Sequence, residues 1–194
     1  SPRVAIDTPV LDGSVNLIGG RIDDIGFKKY RETVDPKSPE IDLLSPAGGK
    51  DPYFADFGWL SDAGSPVKVP GPDTRWSQKG TGQLGIGSPV VLTWDNGDGF
   101  TFERTISVDD RYMFEITDKV KNASGRATTL YPYSVLTREG TPTTSGYYVL
   151  HEGAIGVFGD DGLKEIGYSD LKEKRKIEPN KVAGAWIGFV DKYW

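Results

Sequence analysis

Phe100-Thr101-Phe102-Glu103-Arg104-Thr105-Ile106-Ser107-Val108 alternates apolar and polar side chains with a period of two. Phe100, Phe102, Ile106 and Val108 face one way, and Thr101, Glu103, Thr105 and Ser107 face the other. That period belongs to a half-buried β-strand rather than a helix. Arg104 interrupts the apolar row, so it must either reach out to water or pair. The run after it repeats the pattern, with Tyr112, Phe114, Ile116 and Val120 set against Glu115, Thr117 and Lys119. Strands with one polar face suit antiparallel sheets whose other face is packed.

Turn chemistry separates the runs. Asp95-Asn96-Gly97-Asp98-Gly99 precedes Phe100, and Asn-Gly supplies the positive φ angles that tight hairpins need. Asp109-Asp110-Arg111 and Asn122-Ala123-Ser124-Gly125 close the next two runs. Further strands are expected at residues 3–6, 14–18, 21–27, 53–59, 90–94, 130–138, 147–151, 154–158 and 185–190. Pro132 places its strand at an edge or a bulge. A single short helix is expected at residues 171–176, capped by Ser169 or Asp170. Residues 32–52 and 61–89 read as long loops. The result is an all-β antiparallel sandwich forming a single domain over residues 1–194.

Composition narrows the function. The 194 residues carry 28 acids against 23 bases, for a net charge of −5, which argues against nucleic acid as a partner. There is no cysteine, which removes disulfides, thiolate metal sites and cysteine nucleophiles together. No apolar run approaches the ~20 residues of a membrane-spanning helix, and the opening residues do not show a secretory signal.

Each motif with chemical potential has a structural reading beside it. Gly80-Thr81-Gly82-Gln83-Leu84-Gly85 matches a dinucleotide fingerprint, but a strand rather than a helix is expected next, so it reads as a loop. Asp95–Gly99 and Gly159-Asp160-Asp161-Gly162 have the flavour of calcium loops; Ile106 stands where a bidentate acid would be needed, and both read as hairpin turns. His151 is the single histidine and has no partner for a dyad or a zinc site; it reads as a hydrogen-bonded strand-end residue. Glu103, Glu115 and Glu139 could serve a paired-acid hydrolase, but nothing singles them out from acids on a solvated sheet. Trp59, Trp76 and Trp94 could line a sugar or peptide groove, with Trp76 the most suspect because it lies in a polar loop, but core or loop anchoring is the favoured reading. Lys172-Glu173-Lys174-Arg175-Lys176 reads as a solvated face. No catalytic, cofactor-binding or metal-ligating residue is assigned, no cofactor is expected, and the ligand-binding residues remain unassigned.

Longer stretches carry a resemblance. Arg3-Val4-Ala5-Ile6-Asp7-Thr8-Pro9, with Gly13-Ser14-Val15-Asn16-Leu17-Ile18-Gly19-Gly20-Arg21-Ile22-Asp23-Asp24, resembles the opening of the periplasmic domain of the bacterial YidC membrane-protein insertase family. Lys29-Tyr30-Arg31-Glu32-Thr33-Val34-Asp35-Pro36, Leu43-Leu44-Ser45-Pro46 and Tyr53-Phe54-Ala55-Asp56-Phe57-Gly58-Trp59 are similar to the same family. So is Gly184-Ala185-Trp186-Ile187-Gly188-Phe189-Val190-Asp191-Lys192-Tyr193-Trp194. The resemblance implies a β-supersandwich of the galactose-mutarotase-like kind, at the periplasmic face of the inner membrane. It also implies a non-enzymatic role in protein transport, aiding membrane-protein insertion and folding as an insertase and chaperone. The implied partners are the Sec translocon and nascent membrane proteins, without direct membrane insertion by this domain.

The family domain is expected to continue for several strands and a linker helix beyond the Trp186 segment. Without them an edge and part of an apolar face would be open, so association or lower stability than a longer chain is expected. The alternative is a glycan- or peptide-binding sandwich. An aldose epimerase on the same fold is disfavoured, because it would need two positioned proton-transfer groups and the only histidine is His151.

Overall fold

The computed structural model describes residues 1–142, 151–179 and 181–191. The chain divides into two compact units, Ser1–Glu139 and Gly140–Trp194.

The first unit carries ten strands: β1 (Arg3–Asp7), β2 (Leu11–Asn16), β3 (Arg21–Arg31), β4 (Glu40–Leu44), β5 (Tyr53–Ser61), β6 (Ser77–Lys79), β7 (Val90–Asp95), β8 (Phe100–Val108), β9 (Phe114–Asn122) and β10 (Leu130–Arg138). One sheet has six strands in the order β1-β2-β3-β5-β10, with β4 also paired to β3; the other runs β6-β7-β8-β9. Every ladder is antiparallel. The expected all-β architecture of antiparallel strands with one short helix is therefore present.

The two sheets share one core. Val4, Ile6, Val15, Ile22 and Ile25 of the first sheet cluster with Val90, Leu92, Phe100, Phe102, Ile106 and Val108 of the second. Each such side chain contributes roughly 1.5–3 kcal/mol on burial. Trp59 of β5 meets Phe102 of β8 with ring centroids 6.3 Å apart, and Trp94 of β7 lies 5.6 Å from the same ring. The alternation read in residues 100–108 is the burial pattern of β8 residue for residue.

Several expectations need amending. β4 lies inside the stretch 32–52 expected to be loop, and β6 lies inside 61–89. In β4 the adjacent apolar Leu43 and Leu44 break the alternation, and β6 has three residues only. The helix runs Tyr168–Lys174, earlier than expected, with Gly167 in extended backbone as its N-cap and no side chain capping it. The strand expected at residues 147–151 lies outside the described residues except for His151.

The second unit forms a three-stranded sheet, β12-β11-β13, from β11 (Gly153–Phe158), β12 (Leu163–Gly167) and β13 (Ala185–Val190). A 3-10 turn, Gly159–Asp161, joins β11 to β12, and helix α1 (Tyr168–Lys174) follows β12. The Tyr168 ring stacks on Phe189 at 6.4 Å, and its hydroxyl donates to Asp191 Oδ1 at 3.1 Å. Among the described residues, no helix is long and apolar enough to cross a membrane.

Candidate functional site

Arg104 is the polar member of β8's inward row, and it pairs. Its side chain is 0% exposed and grips Asp118 of β9 with two parallel bonds of 2.7 Å, from Nε to Oδ1 and from Nη2 to Oδ2. Arg104 and Asp118 are directly opposite in the β8–β9 register, so the sheet itself sets the fork against the carboxylate. Nη1 donates to the Gly20 carbonyl at 3.2 Å, and the guanidinium lies 5.1 Å from the Trp76 ring and 5.4 Å from the Phe57 ring. This is a buried charge fully supplied with partners, built to join the sheets.

Trp76 belongs to that same cluster. It is 2% exposed, and its backbone N–H bonds the Leu17 carbonyl at 2.8 Å. The tryptophan that a polar loop made suspicious is a core anchor. Trp59 and Trp94 pack on the core as well, so the three tryptophans gather around Phe102 and Arg104.

The loop motifs resolve into backbone devices. Asn96 is buried; its Oδ1 accepts from the N–H groups of Asp98 and Phe100, while its Nδ2 donates to the Lys68 carbonyl at 3.0 Å. Asp95–Gly99 is thus a hairpin turn that also clamps the long loop. Gly159–Gly162 turns β11 into β12, with the Gly162 N–H bonding the Gly159 carbonyl at 3.2 Å. Leu84, within the glycine-rich 80–85 stretch, is fully buried and exchanges backbone bonds with β1, donating to Ala5 and accepting from Asp7. His151 Nε2 lies 3.0 Å from the Ala154 carbonyl at the start of β11.

The candidate acids are scattered. Glu103 faces solvent and is ion-paired to Lys79, whose hydrogen bond holds its carboxyl below the ordinary value. Glu115 is exposed on β9, and Glu139 is exposed just past β10, with its N–H bonded to the Pro52 carbonyl at 2.9 Å. No two of them form a pair.

The sequence reading missed an acidic row on the first sheet. Gly26 of β3 stands opposite Asp12 of β2 on one side and Asp42 of β4 on the other. With no side chain at Gly26, Asp12 Oδ1 reaches to 2.7 Å from where a Cβ would sit. Desolvation, followed by the charges of Asp24, Glu32, Asp12 and Glu40, pushes the Asp42 carboxyl above its ordinary value. Finding this row required knowing that residues 40–44 form a strand. Also missed was an apolar surface on β5 and β10, where Leu60 and Tyr131 face each other in register and both are exposed, as is Val135.

The geometry defines a layered antiparallel β fold in which Arg104, Asp118 and Asn96 are committed to a cross-strand pair, an inter-sheet tie and a turn. The family model described as the YidC periplasmic domain matches residues 3–194. The chain belongs to that family. It is 52% identical over 194 residues to the membrane protein insertase YidC of Nitrobacter hamburgensis, covering 100% of this chain and 32% of that protein. The same identity holds for the membrane protein insertase YidC of Bradyrhizobium diazoefficiens, covering 100% of this chain and 31% of that protein. The insertase of Sinorhizobium medicae is 53% identical over 195 aligned positions, covering 100% of this chain and 32% of that protein. The chain thus spans about a third of the length of these curated relatives.

Proposed function

We propose that the chain acts as a docking domain at the periplasmic face of the bacterial inner membrane, within an insertase that aids insertion and folding of membrane proteins. The match to the periplasmic-domain family, running from residue 3 to residue 194 and through both units, carries this reading. In it the scaffold performs no chemistry; it holds partners, namely the Sec translocon and nascent membrane proteins. A photoreactive residue replacing Tyr131 or Val135 of this chain, within the full-length insertase in native membranes, should crosslink to translocon subunits. Crosslinking confined to lipid and to the insertase itself would remove the translocon from the proposal.

A second reading, capture of an extended peptide, is supported by β10. Among the described residues this strand pairs β5 alone, and from Leu130 to Thr137 it carries no charge. Tyr131 is 50% exposed, with Val135 exposed on the same face. Such an edge suits strand addition by an uncharged apolar segment. Titration of the chain with extended apolar peptides should saturate and should be weakened by Val135→Lys. Titration that stays linear up to millimolar peptide would remove this activity.

A further inference from the structure

The opposite sheet has an edge of different character. β9 pairs β8 along its full nine residues and no other strand among the described residues. Its solvent-facing row reads Glu115, Thr117, Lys119, Lys121, all exposed; its inward row reads Phe114, Ile116, Asp118, Val120, all half-buried. The one inward charge, Asp118, is already engaged by Arg104. On the solvent face a cation, an anion and a cation follow one another on β6, β8 and β9, with the uncharged Val91 and Thr93 of β7 between the first two. Lys79 of β6 pairs with Glu103 of β8, and Lys119 of β9 stands directly across from Glu103. An anion beyond the edge would continue the series.

We propose that β9 pairs antiparallel with β9 of a second copy, about a twofold axis through Thr117. In this register Glu115 faces Lys119 of the second copy, and by symmetry Lys119 faces its Glu115. Phe114 meets Val120, Ile116 meets the neutralised Asp118, and Lys121 meets the exposed Met113. No like charges stand opposite. Neighbouring registers are worse: centring on Asp118 sets the two Asp118 carboxylates against each other, and centring on Lys119 opposes two lysines. Centring on Ile116 sets Glu115 against Thr117 and Phe114 against Asp118, so no ion pair forms. A slip of one residue would turn the second copy's apolar row to solvent. The charges that would protect a lone edge from random partners here select one partner and one register. The contact is isologous, so it closes at two copies.

Sedimentation equilibrium of this chain over a wide concentration range at low salt tests the proposal. A monomer–dimer equilibrium weakened by added salt is expected. Glu115→Lys and Lys119→Glu should each raise the dissociation constant about tenfold or more, because two pairs turn repulsive. Mixing the two single variants should restore association as a heterodimer, and the double variant Glu115→Lys/Lys119→Glu should associate like the unaltered chain. A chain that stays monomeric at millimolar concentration would overturn the proposal. So would single variants that dimerise undiminished, or a mixture that fails to associate.

Discussion

Arg104 occupies the one inward position of β8 that its apolar row does not fill, and its Asp118 partner is set by strand register. Removing one member would leave a buried charge unpaired, so Asp118→Ala should cost about 3–5 kcal/mol in a urea titration. The double change Arg104→Met/Asp118→Leu should recover most of that loss, since it takes both charges out of the core. Asp42 tests the opposite kind of electrostatics. A carboxyl whose pKa is raised on folding binds its proton more tightly folded than unfolded. Stability is therefore greater at low pH and falls as pH rises from the unfolded value through the folded one. Asp42→Asn should stabilise the chain at pH 7 by less than about 1 kcal/mol, the group being solvent-facing, and should change nothing well below both pKa values. Denaturation curves at the two pH values check this. The sequence showed that Arg104 must reach out or pair. It could not show which, because Asp118 becomes its neighbour only through the hairpin register.

At the scale of elements, hairpins were legible wherever local chemistry is decisive. The alternation of β8 and the Asn-Gly turn before it survive intact, and Pro132 does lie on a strand that pairs on one side only among the described residues. β4 was not legible because the adjacent Leu43 and Leu44 break the alternation, and β6 because three residues cannot establish a period. The helix start was misplaced because extended Gly167, not Ser169 or Asp170, precedes it. Gly13 carries a requirement the sequence hid. It sits at the β2–β3 register shift with φ 135°, and a Cβ there would lie 2.0 Å from the Asp24 carbonyl oxygen. Gly13→Ala should therefore cost about 2 kcal/mol or more, read as a lower denaturation midpoint. Trp76 likewise ties a polar loop to both sheets, and Trp76→Ala should cost about 3–5 kcal/mol.

Across the whole molecule, the period of two gives the layered class but not the use to which it is put. The family emerged from longer stretches, such as residues 3–9 and 53–59, whose combination is more specific than any one motif. No surface could be chosen from sequence, because exposure at Leu60, Tyr131 and Val135 depends on which strands lie side by side. A domain that holds partners through its β surfaces, as proposed above, should have those strands shielded when a partner is bound. Amide hydrogen exchange on the full-length insertase in membranes, with and without the translocon, tests it most directly. Slower exchange confined to β10 and the adjoining β5 is expected when the translocon is present. Unchanged exchange across both strands would contradict it.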